Sequence, residues 1–226
     1  MKILPLIMVL TCVAWLSGCA AKPPIPETLA LQDLNAKQGL LVGALSRPSQ
    51  KIAFNSYTLL FRNIDNGETY KVVARCDPMS GRYEDDFVNA PAAGGQLVNG
   101  SQFAILVPAG RYEMYNYYLH KMEPNGDSVT YSAKEEFSIP FEVNGSEIKY
   151  IGEFRNVPDT FMHTWLGIET EVLAGGSWDI YDGSKRDAER LKGRFPAMPW
   201  SQMKVALLTP TSNLALLVRR GKESRE

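Results

Sequence analysis

Residues 137–154 read FSIPFEVNGSEIKYIGEF, and this stretch decides the fold class. Apolar residues or glycine stand at every second position in residues 137–143 and again in residues 148–154. Period-two alternation places one set of side chains in a core and the other toward water, as in half-buried antiparallel strands. Between the two runs, Asn144-Gly145 suits the two positive-φ positions of a type I′ turn. The stretch therefore predicts a β-hairpin.

The same signals recur on both sides of this hairpin. Residues 102–107 alternate in the same way, and further Asn-Gly pairs stand at residues 66–67, 99–100 and 125–126. Short strands about ten residues apart, with no helix between them, favour a β-sandwich over an alternating α/β fold. We therefore predict a mainly β protein, with an antiparallel β-sandwich over residues 39–174. Pro140 has no amide hydrogen to donate, so its strand is expected at a sheet edge or at a bulge.

A proline-glycine segment connects two of these strands. In residues 107–113, VPAGRYE, Pro108 and Gly110 favour a sharp turn, after which Tyr112 is expected to enter the core. The segment resembles the Pro-Ala-Gly-x-Tyr turn of transthyretin-like and carboxypeptidase-regulatory-like β-sandwiches, which are immunoglobulin-like. Residues 141–152 also look similar to strand pairs of uncharacterised bacterial lipoproteins. These resemblances imply a fold and carry no activity.

The C-terminal third predicts a small α/β appendage over residues 175–218. A strand at residues 178–181 precedes a short helix at residues 185–194, where Ser184 and Asp187 have capping-box spacing. Ala188, Leu191 and Phe195 form an apolar stripe on that helix. Residues 205–208 and 214–218 predict the last strands, and the charged tail at residues 219–226 is expected to be disordered.

Residues 112–120 contain the sharpest candidate for recognition. Strict alternation separates Tyr112, Met114, Asn116, Tyr118 and His120 from Tyr115 and Tyr117. If the first set packs into the core, Tyr115 and Tyr117 form an exposed aromatic platform that can stack on sugar rings or on a partner's apolar surface. The alternative is a central strand with both faces covered, because large aromatic side chains are mostly buried.

An apolar segment at residues 3–16 follows Lys2 and ends in Leu16-Ser17-Gly18-Cys19. It is shorter than the roughly 20 residues of a membrane span and has the length of a signal-peptide core. The four-residue motif resembles the bacterial lipobox. The resemblance implies that cleavage removes the signal peptide, residues 1–18, and that Cys19 carries diacylglycerol and an amide-linked acyl chain such as palmitate. The alternative is an ordinary secretory signal with an incidental cysteine.

Acylation of Cys19 would tether the protein to a membrane without spanning it, because two or three acyl chains hold a protein on a bilayer. Lipoproteins with Asp after the cysteine stay in the inner membrane, and Ala20 at this position implies the outer membrane, facing the periplasm. Residues 19–38 contain three closely spaced prolines and predict a semi-stiff stalk. Leu29, Leu31 and Leu34 can dock part of it on the domain.

Composition argues against several kinds of site. Removal of the signal peptide takes away Lys2, which leaves 23 of the 24 basic residues against 25 acidic ones. The mature protein therefore has no net positive charge that would favour binding of nucleic acid. Cleavage would remove Cys12 and acylation would use Cys19, which leaves Cys76 as the single free thiol. Cys76 therefore cannot form an internal disulfide and is expected to be a packed side chain. Two histidines, His120 and His163, are too few for a zinc site without other clustered ligands. No cofactor or metal is expected.

We therefore expect a lipid-anchored envelope protein with a binding or scaffolding role and no catalysis. Its partner is expected to be an envelope protein or wall glycan, and a dedicated cell-wall glycan-binding module is the first alternative. A hydrolase whose site is built from distant loops, using Glu84, Asp85 or His163, is the second. The adjacent acidic residues Glu84, Asp85 and Asp86 are expected to be a solvated edge rather than a Ca²⁺ site.

Overall fold

The computed structural model describes residues 25–50, 53–75, 85–122 and 126–210, together with the backbone of residues 218–220. Within these ranges, Gly94 and Trp165 are described by their backbone alone. The predicted signal peptide, Cys19, Cys76 and Glu84 lie outside the described residues, as do most of the last predicted strand and the end of the charged tail.

The described chain forms strands, one α-helix and short 3₁₀ turns. The strands are β1 (Gln38–Pro48), β2 (Ser56–Asn63), β3 (Thr69–Arg75), β4 (Phe87–Pro91), β5 (Leu97–Pro108), β6 (Gly110–Met122), β7 (Ser128–Ser132), β8 (Ile139–Val143), β9 (Ile148–Trp165), β10 (Ile168–Tyr181), β11 (Lys204–Val205) and β12 (Val218–Arg220). Helix α1 is Ser184–Arg194, and the 3₁₀ turns are Leu31–Asp33, Ala93–Gly95 and Trp200–Gln202. No described helix has the length and apolar character needed to cross a bilayer.

The strands form two sheets, which confirms the predicted β-sandwich with a small helical appendage. The larger sheet has the order β12-β10-β9-β1-β5-β4, with β11 paired to the start of β9. The smaller sheet has the order β3-β2-β6-β7, with β8 also paired to β6. The smaller sheet is antiparallel throughout, whereas the larger sheet is mixed because β9 runs parallel to β1.

The main core lies between the two sheets. Phe103, Phe154 and Trp178 of the larger sheet meet Tyr57 and Phe61 of the smaller one, and none of the five is more than 3% exposed. Tyr57 packs edge-on against Trp178 with ring centroids 6.0 Å apart. Since each fully buried large apolar side chain contributes about 1.5–3 kcal/mol, this layer is the principal source of stability.

A second core covers the outer face of the larger sheet. Leu191 and Phe195, at the end of the helical segment, pack with Tyr150 on that face, and Ile25 and Leu29 join the same cluster. The outer face is therefore buried, although half-buried strands were expected. Part of the predicted stalk is docked on the domain, because Leu29 is buried, while Leu31 is 55% exposed.

A bulge at Gly152 changes which face the side chains of β9 occupy. Gly152 has φ +139°, and the pairing of β9 with β1 shifts register beside it. As a result Tyr150 packs in the outer cluster while Phe154 packs in the core between the sheets. The predicted single face running from Ile148 to Phe154 is wrong, because one extra residue reverses the alternation.

The Asn-Gly pairs have different roles. Gly67 has φ +76° in the loop joining the paired strands β2 and β3, as expected for a hairpin. Residues 99–100 lie inside β5, so the turn predicted there is wrong. Asn144-Gly145 is not a hairpin either, because β8 pairs with β6 and β9 pairs with β1 in the other sheet. Asn125 lies outside the described residues.

The connection at residues 144–147 therefore crosses between the sheets. Its positive φ is at Ser146, +59°, whose amide donates to the carbonyl oxygens of Asn35 and Gln38. A Cβ on Gly145 would lie 2.1 Å from the carbonyl oxygen of Ala36, so the chain passes too closely here for any side chain.

Two local predictions are confirmed. The segment Pro108-Ala109-Gly110 joins β5 of the larger sheet to β6 of the smaller, and the fully buried Tyr112 donates its hydroxyl to the Pro108 carbonyl at 2.6 Å. Pro140 lies on β8, which among the described strands pairs with β6 alone.

The boundary predicted between residues 174 and 175 does not divide the chain, because it falls inside β10. Helix α1 forms where expected, but Gly183 is its N-cap and no side chain caps it. The amide of Ser184 donates instead to Asp182 Oδ1 at 2.9 Å. The predicted capping role of Asp187 is wrong, since this side chain is directed into the protein and is fully buried.

Candidate functional site

The predicted tyrosine platform is changed by a second bulge. Leu60 of β2 pairs with Asn116 and Phe61 pairs with Met114, so Tyr115 is an extra residue on β6. Beyond the bulge, Tyr117 faces the core, is 2% exposed, and donates its hydroxyl to the Gly176 carbonyl at 3.3 Å. The predicted exposed pair of Tyr115 and Tyr117 is therefore wrong.

The outward-facing aromatic residues on β6 are Tyr115 and Tyr118. Tyr115 is half-buried and lies under the Arg62 guanidinium, whose Cζ is 4.7 Å from the ring centroid. Burial and the nearby Tyr118 raise the pKa of Tyr115. Tyr118 is 40% exposed in the middle of the sheet. The bulge has replaced Tyr117 by Tyr118 on the outer face.

A buried ionic cluster attaches α1 to the larger sheet. Glu153 accepts from Ser46 Oγ at 2.5 Å, and its carboxylate pairs with Arg155 at 3.2 Å and with Arg186 at 3.1 Å. Asp187 pairs with Arg186 at 2.8 Å. With two carboxylates against two guanidinium groups, the cluster is balanced in charge, as a buried ionic group must be.

Neutral donors complete the cluster around Asp187. Tyr150 donates its hydroxyl to Asp187 Oδ2 at 2.8 Å, and the Gln102 amide donates to Oδ1 at 3.2 Å. Burial raises the pKa of Asp187 despite the adjacent Arg186, and burial also raises the pKa of Tyr150. These groups stabilise one another and hold the helix against the sheet.

A shallow cleft of about 450 Å³ lies beside this cluster. Glu153 and Arg186 form part of its wall, with Ala93 and Lys185 at other sides. The described contacts of Glu153 already engage it with three of the protein's own donors, so the arrangement resembles a structural ion network more than a poised acid or base.

The two described residues suggested for a hydrolase, Asp85 and His163, are not brought together, and Glu84 lies outside the described residues. Asp85 forms a two-pronged ion pair with Arg47, at 2.8 and 2.6 Å, and its side chain is 5% exposed. The backbone amide of Gln102 donates to Asp86 at 2.7 Å, but Asp86 is itself exposed. The expected solvated acidic edge is therefore wrong for Asp85 and holds for Asp86. His163 lies on β9 eight residues beyond Arg155, which pairs with Ser46, and this places it about 26 Å along the strand.

His120 faces outward on β6, where its Nδ1 lies 3.2 Å from Thr130 Oγ1. No group of three potential metal-ligating side chains occurs within the described part of the chain. His120 lies on β6 of the smaller sheet and His163 on β9 of the larger one, so the two histidines are not brought together.

The ends of β9 and β10, residues 160–172, form a projecting arm. Its two strands pair with each other as far as the turn at Leu166-Gly167, which has φ +50° and +78° as in a type I′ turn. Pairing of β9 with β1 ends at Arg155, and pairing of β10 with β12 covers only residues 178–180. The arm is thus a two-stranded ribbon that extends about 20 Å past the sheet.

The arm is exposed on both faces and carries apolar side chains. Phe161 is 51% exposed, Met162 59%, Leu166 81% and Ile168 65%. The register places Phe161, Val172 and Ile168 on one face, and Met162, Glu169 and Glu171 on the other. Thr160 donates its hydroxyl to Glu171 at 2.7 Å on the second face. The arm therefore has an apolar face and a more acidic face.

No expectation drawn from the sequence concerned this arm. The available signal was the β-branched and aromatic run around Leu166-Gly167, with period-two alternation on both sides. The sequence pattern predicts a hairpin here, but it does not tell whether another strand lies beside it.

The chain matches no family model and no curated protein. Among solved structures it is similar to a candidate cell adhesion protein from Parabacteroides distasonis ATCC 8503, with 14% identity, a TM-score of 0.28, and coverage of 62% of this chain and 38% of the other. A leucine-rich repeat protein from Bacteroides thetaiotaomicron VPI-5482 has 11% identity, a TM-score of 0.30, and coverage of 84% and 28%. The chain thus spans well under half of either structure, and TM-scores this low support no inference about fold or function.

Proposed function

We propose that this chain is a lipid-anchored protein of the bacterial outer membrane that binds or scaffolds another envelope protein through its arm. The observation that carries the proposal is the exposure of Phe161, Met162, Leu166 and Ile168 on a ribbon with no third strand among the described residues. An isolated two-stranded ribbon is marginally stable in water, so burial against a partner would stabilise it.

The position of the arm supports a partner away from the anchoring membrane. Ile25 packs in the same cluster as Leu40 and Ile148, which lie near the starts of β1 and β9. Cys19 is six residues before Ile25 and can be at most about 20 Å from it. The tip of the arm is at the other end of β9, on the order of 55 Å along the strand. An acylated Cys19 and the arm would therefore lie at opposite ends of the domain.

The charge of the arm favours a protein partner over a lipid surface. Residues 157–173 contain Asp159, Glu169 and Glu171 and no lysine or arginine. Anionic lipid headgroups attract basic segments and would repel this one. A complementary partner has an apolar groove bordered by lysine or arginine, because such a groove would cover the apolar face and pair with the carboxylates.

Site-specific photo-cross-linking in cells tests the arm. A photoreactive amino acid at Met162, which is exposed on the arm, is compared with one at Lys192, which is exposed on α1. We expect one discrete protein adduct from the arm position and not from the helix position. The double substitution Phe161→Ser and Ile168→Ser should reduce the yield of this adduct. The purified protein and its partner should associate less tightly in high salt. Absence of an arm-specific adduct, or an adduct unaffected by the double substitution, would contradict binding by the arm.

The anchor is tested separately. Cys19→Ser should abolish labelling with a fatty-acid analogue and should release the mature protein from the membrane fraction, because no other acyl attachment is proposed. Ala20→Asp should keep the label and move the protein to the inner membrane. Normal labelling of Cys19→Ser would disprove the lipobox interpretation without bearing on the arm.

A further inference from the structure

The outer face of the smaller sheet combines one exposed aromatic ring with many hydroxyl and amide groups. Tyr118 stands in the middle of this face, because Thr58 of β2 pairs with it on one side and Ser132 of β7 on the other. It is 40% exposed, although residues in the interior of a sheet usually have covered or polar side chains. Its ring is thus the main apolar surface that the centre of this face presents to solvent.

Polar side chains surround this ring at the neighbouring outward positions. Along β6 they are Asn116 before it and His120 after it, and the His120 ring contacts Thr130 at 3.2 Å. Thr58 and Ser132 flank it across the strands. Neighbouring outward positions are separated by about 4.8 Å across strands and about 6.7 Å along them, so these groups are within reach of one small ring bound on Tyr118.

The second tyrosine of the face is held in place. Arg62 covers the Tyr115 ring, and it donates to Glu113 at 2.7 and 2.9 Å and to Glu136 at 3.3 Å. The two carboxylates exceed the single guanidinium by one negative charge, and their hydrogen bonds hold Arg62 in place, so the wall beside Tyr118 is fixed and slightly acidic. A preorganised wall of this kind reduces the entropy lost when a ligand binds.

This pattern suits a sugar better than a protein. Protein interfaces need an apolar centre with several large side chains, whereas here Leu60 is 8% exposed and Tyr118 stands largely alone. A pyranose ring has an apolar C–H face that stacks on an aromatic ring, and its edge is lined with hydroxyl groups that need hydrogen-bond partners. Tyr118 matches the first requirement, and the exposed Ser132 and Thr130 match the second, while Thr58 is 8% exposed and mostly covered.

We propose that this surface, the tyrosine face, binds a strand of wall glycan, with Tyr118 stacking on a sugar ring and Tyr115 and Arg62 forming its lateral wall. The site is independent of the arm, which belongs to the other sheet. The protein thereby has two binding surfaces, one for a protein and one for the wall polymer.

The test uses the mature full chain in detergent, with chitotetraose and muramidase-solubilised glycan strands as probes in titration calorimetry. Tyr118→Ala should weaken binding roughly tenfold, the loss expected for one aromatic stack. Tyr118→Phe should bind within about twofold of the unsubstituted protein, because the ring remains. Val88→Ala, at a site 62% exposed on β4, is the matched control and should bind normally.

Hydrogen exchange of the unsubstituted protein provides a readout that does not depend on the folding of any variant. Saturating glycan should protect amides of residues 115–120 and leave those of the arm unchanged. The proposal is overturned if neither probe binds, if Tyr118→Ala binds as tightly as the unsubstituted protein, or if protection appears on the arm instead. Failure here would leave the arm proposal untouched.

Discussion

Strands β9 and β10 form a single ribbon whose two halves have opposite environments. At its base, Phe154 and Trp178 are fully buried between the sheets, whereas in the arm Phe161 and Ile168 are more than half exposed. The backbone pairing continues through both halves with one shift beside Gly175. Burial in this ribbon is therefore decided by neighbouring strands and the helix, and not by the ribbon's own pairing.

The largest test of this contrast is alanine substitution of one aromatic residue in each half. Trp178→Ala should destabilise the protein by about 3–5 kcal/mol, because it leaves a cavity between the sheets. Phe161→Ala should change stability by no more than about 0.5 kcal/mol, because its side chain is half exposed and lies outside both cores. Urea unfolding followed by circular dichroism measures both. Equal losses would mean that the arm is packed in solution.

The ionic cluster at the base gives the next effect. Arg155→Ala should cost about 3 kcal/mol, since it leaves the buried Glu153 with one fewer cation and removes the stacking of Arg155 on Tyr181 at 3.9 Å. The matched control is Arg111→Ala, which breaks an exposed pair with Asp65 and should cost well under about 1 kcal/mol. Thermal unfolding compares the two, and a difference below about 1 kcal/mol would contradict a stabilising role for the cluster.

A smaller, pH-dependent effect is expected at the start of β9. Burial alone would raise the pKa of Glu147, but the Asn144 amide and the ammonium groups of Lys149 and Lys204 together lower it below its ordinary value. The folded protein therefore favours the ionised carboxylate. The resulting stability is present above the unfolded pKa of about 4.3 and is lost as the pH falls through the lower folded pKa.

Glu147→Gln tests this contribution. At pH 7 the variant should be less stable by roughly 1 kcal/mol, and the difference should shrink as the pH falls below about 4. Urea midpoints at several pH values measure the change. A difference that stays constant or grows in acid would show that Glu147 does not act through its charge.

The smallest effect concerns the turn of the arm. Leu166 has φ +50°, which asparagine tolerates better than leucine, so Leu166→Asn should strengthen the type I′ turn. We expect slower amide exchange in residues 160–172 and global stability within about 0.5 kcal/mol of the unsubstituted protein, because the arm lies outside both cores. A large shift in the global transition would show that the arm belongs to the cooperative unit.

Local patterns predicted the elements well and their partners poorly. The alternating runs, helix α1 and the buried Tyr112 could be recognised because each depends on a few adjacent residues. Asn144-Gly145 could not be assigned correctly, because a turn of this composition serves a hairpin and a crossing between sheets equally well. The difference depends on Ala36 and Gln38, about a hundred residues earlier in the chain.

The binding surfaces show the same division. Alternation indicated that residues 112–120 carry an outward aromatic pair, but one bulged residue replaced Tyr117 by Tyr118. No sequence pattern marks that position, because the bulge arises where β6 has one more residue than β2 needs.

By itself, the sequence determined that this protein is mainly β, that it carries a lipobox-like motif before Cys19, and that its last third contains a short helix. These features depend on composition, period and short motifs. The tertiary structure alone decided that part of the larger sheet is covered on both faces, that the arm has no third strand beside it in the described chain, and that Tyr118 is exposed. Burial is a property of what lies beside a residue in space, and contacts between distant segments determine it.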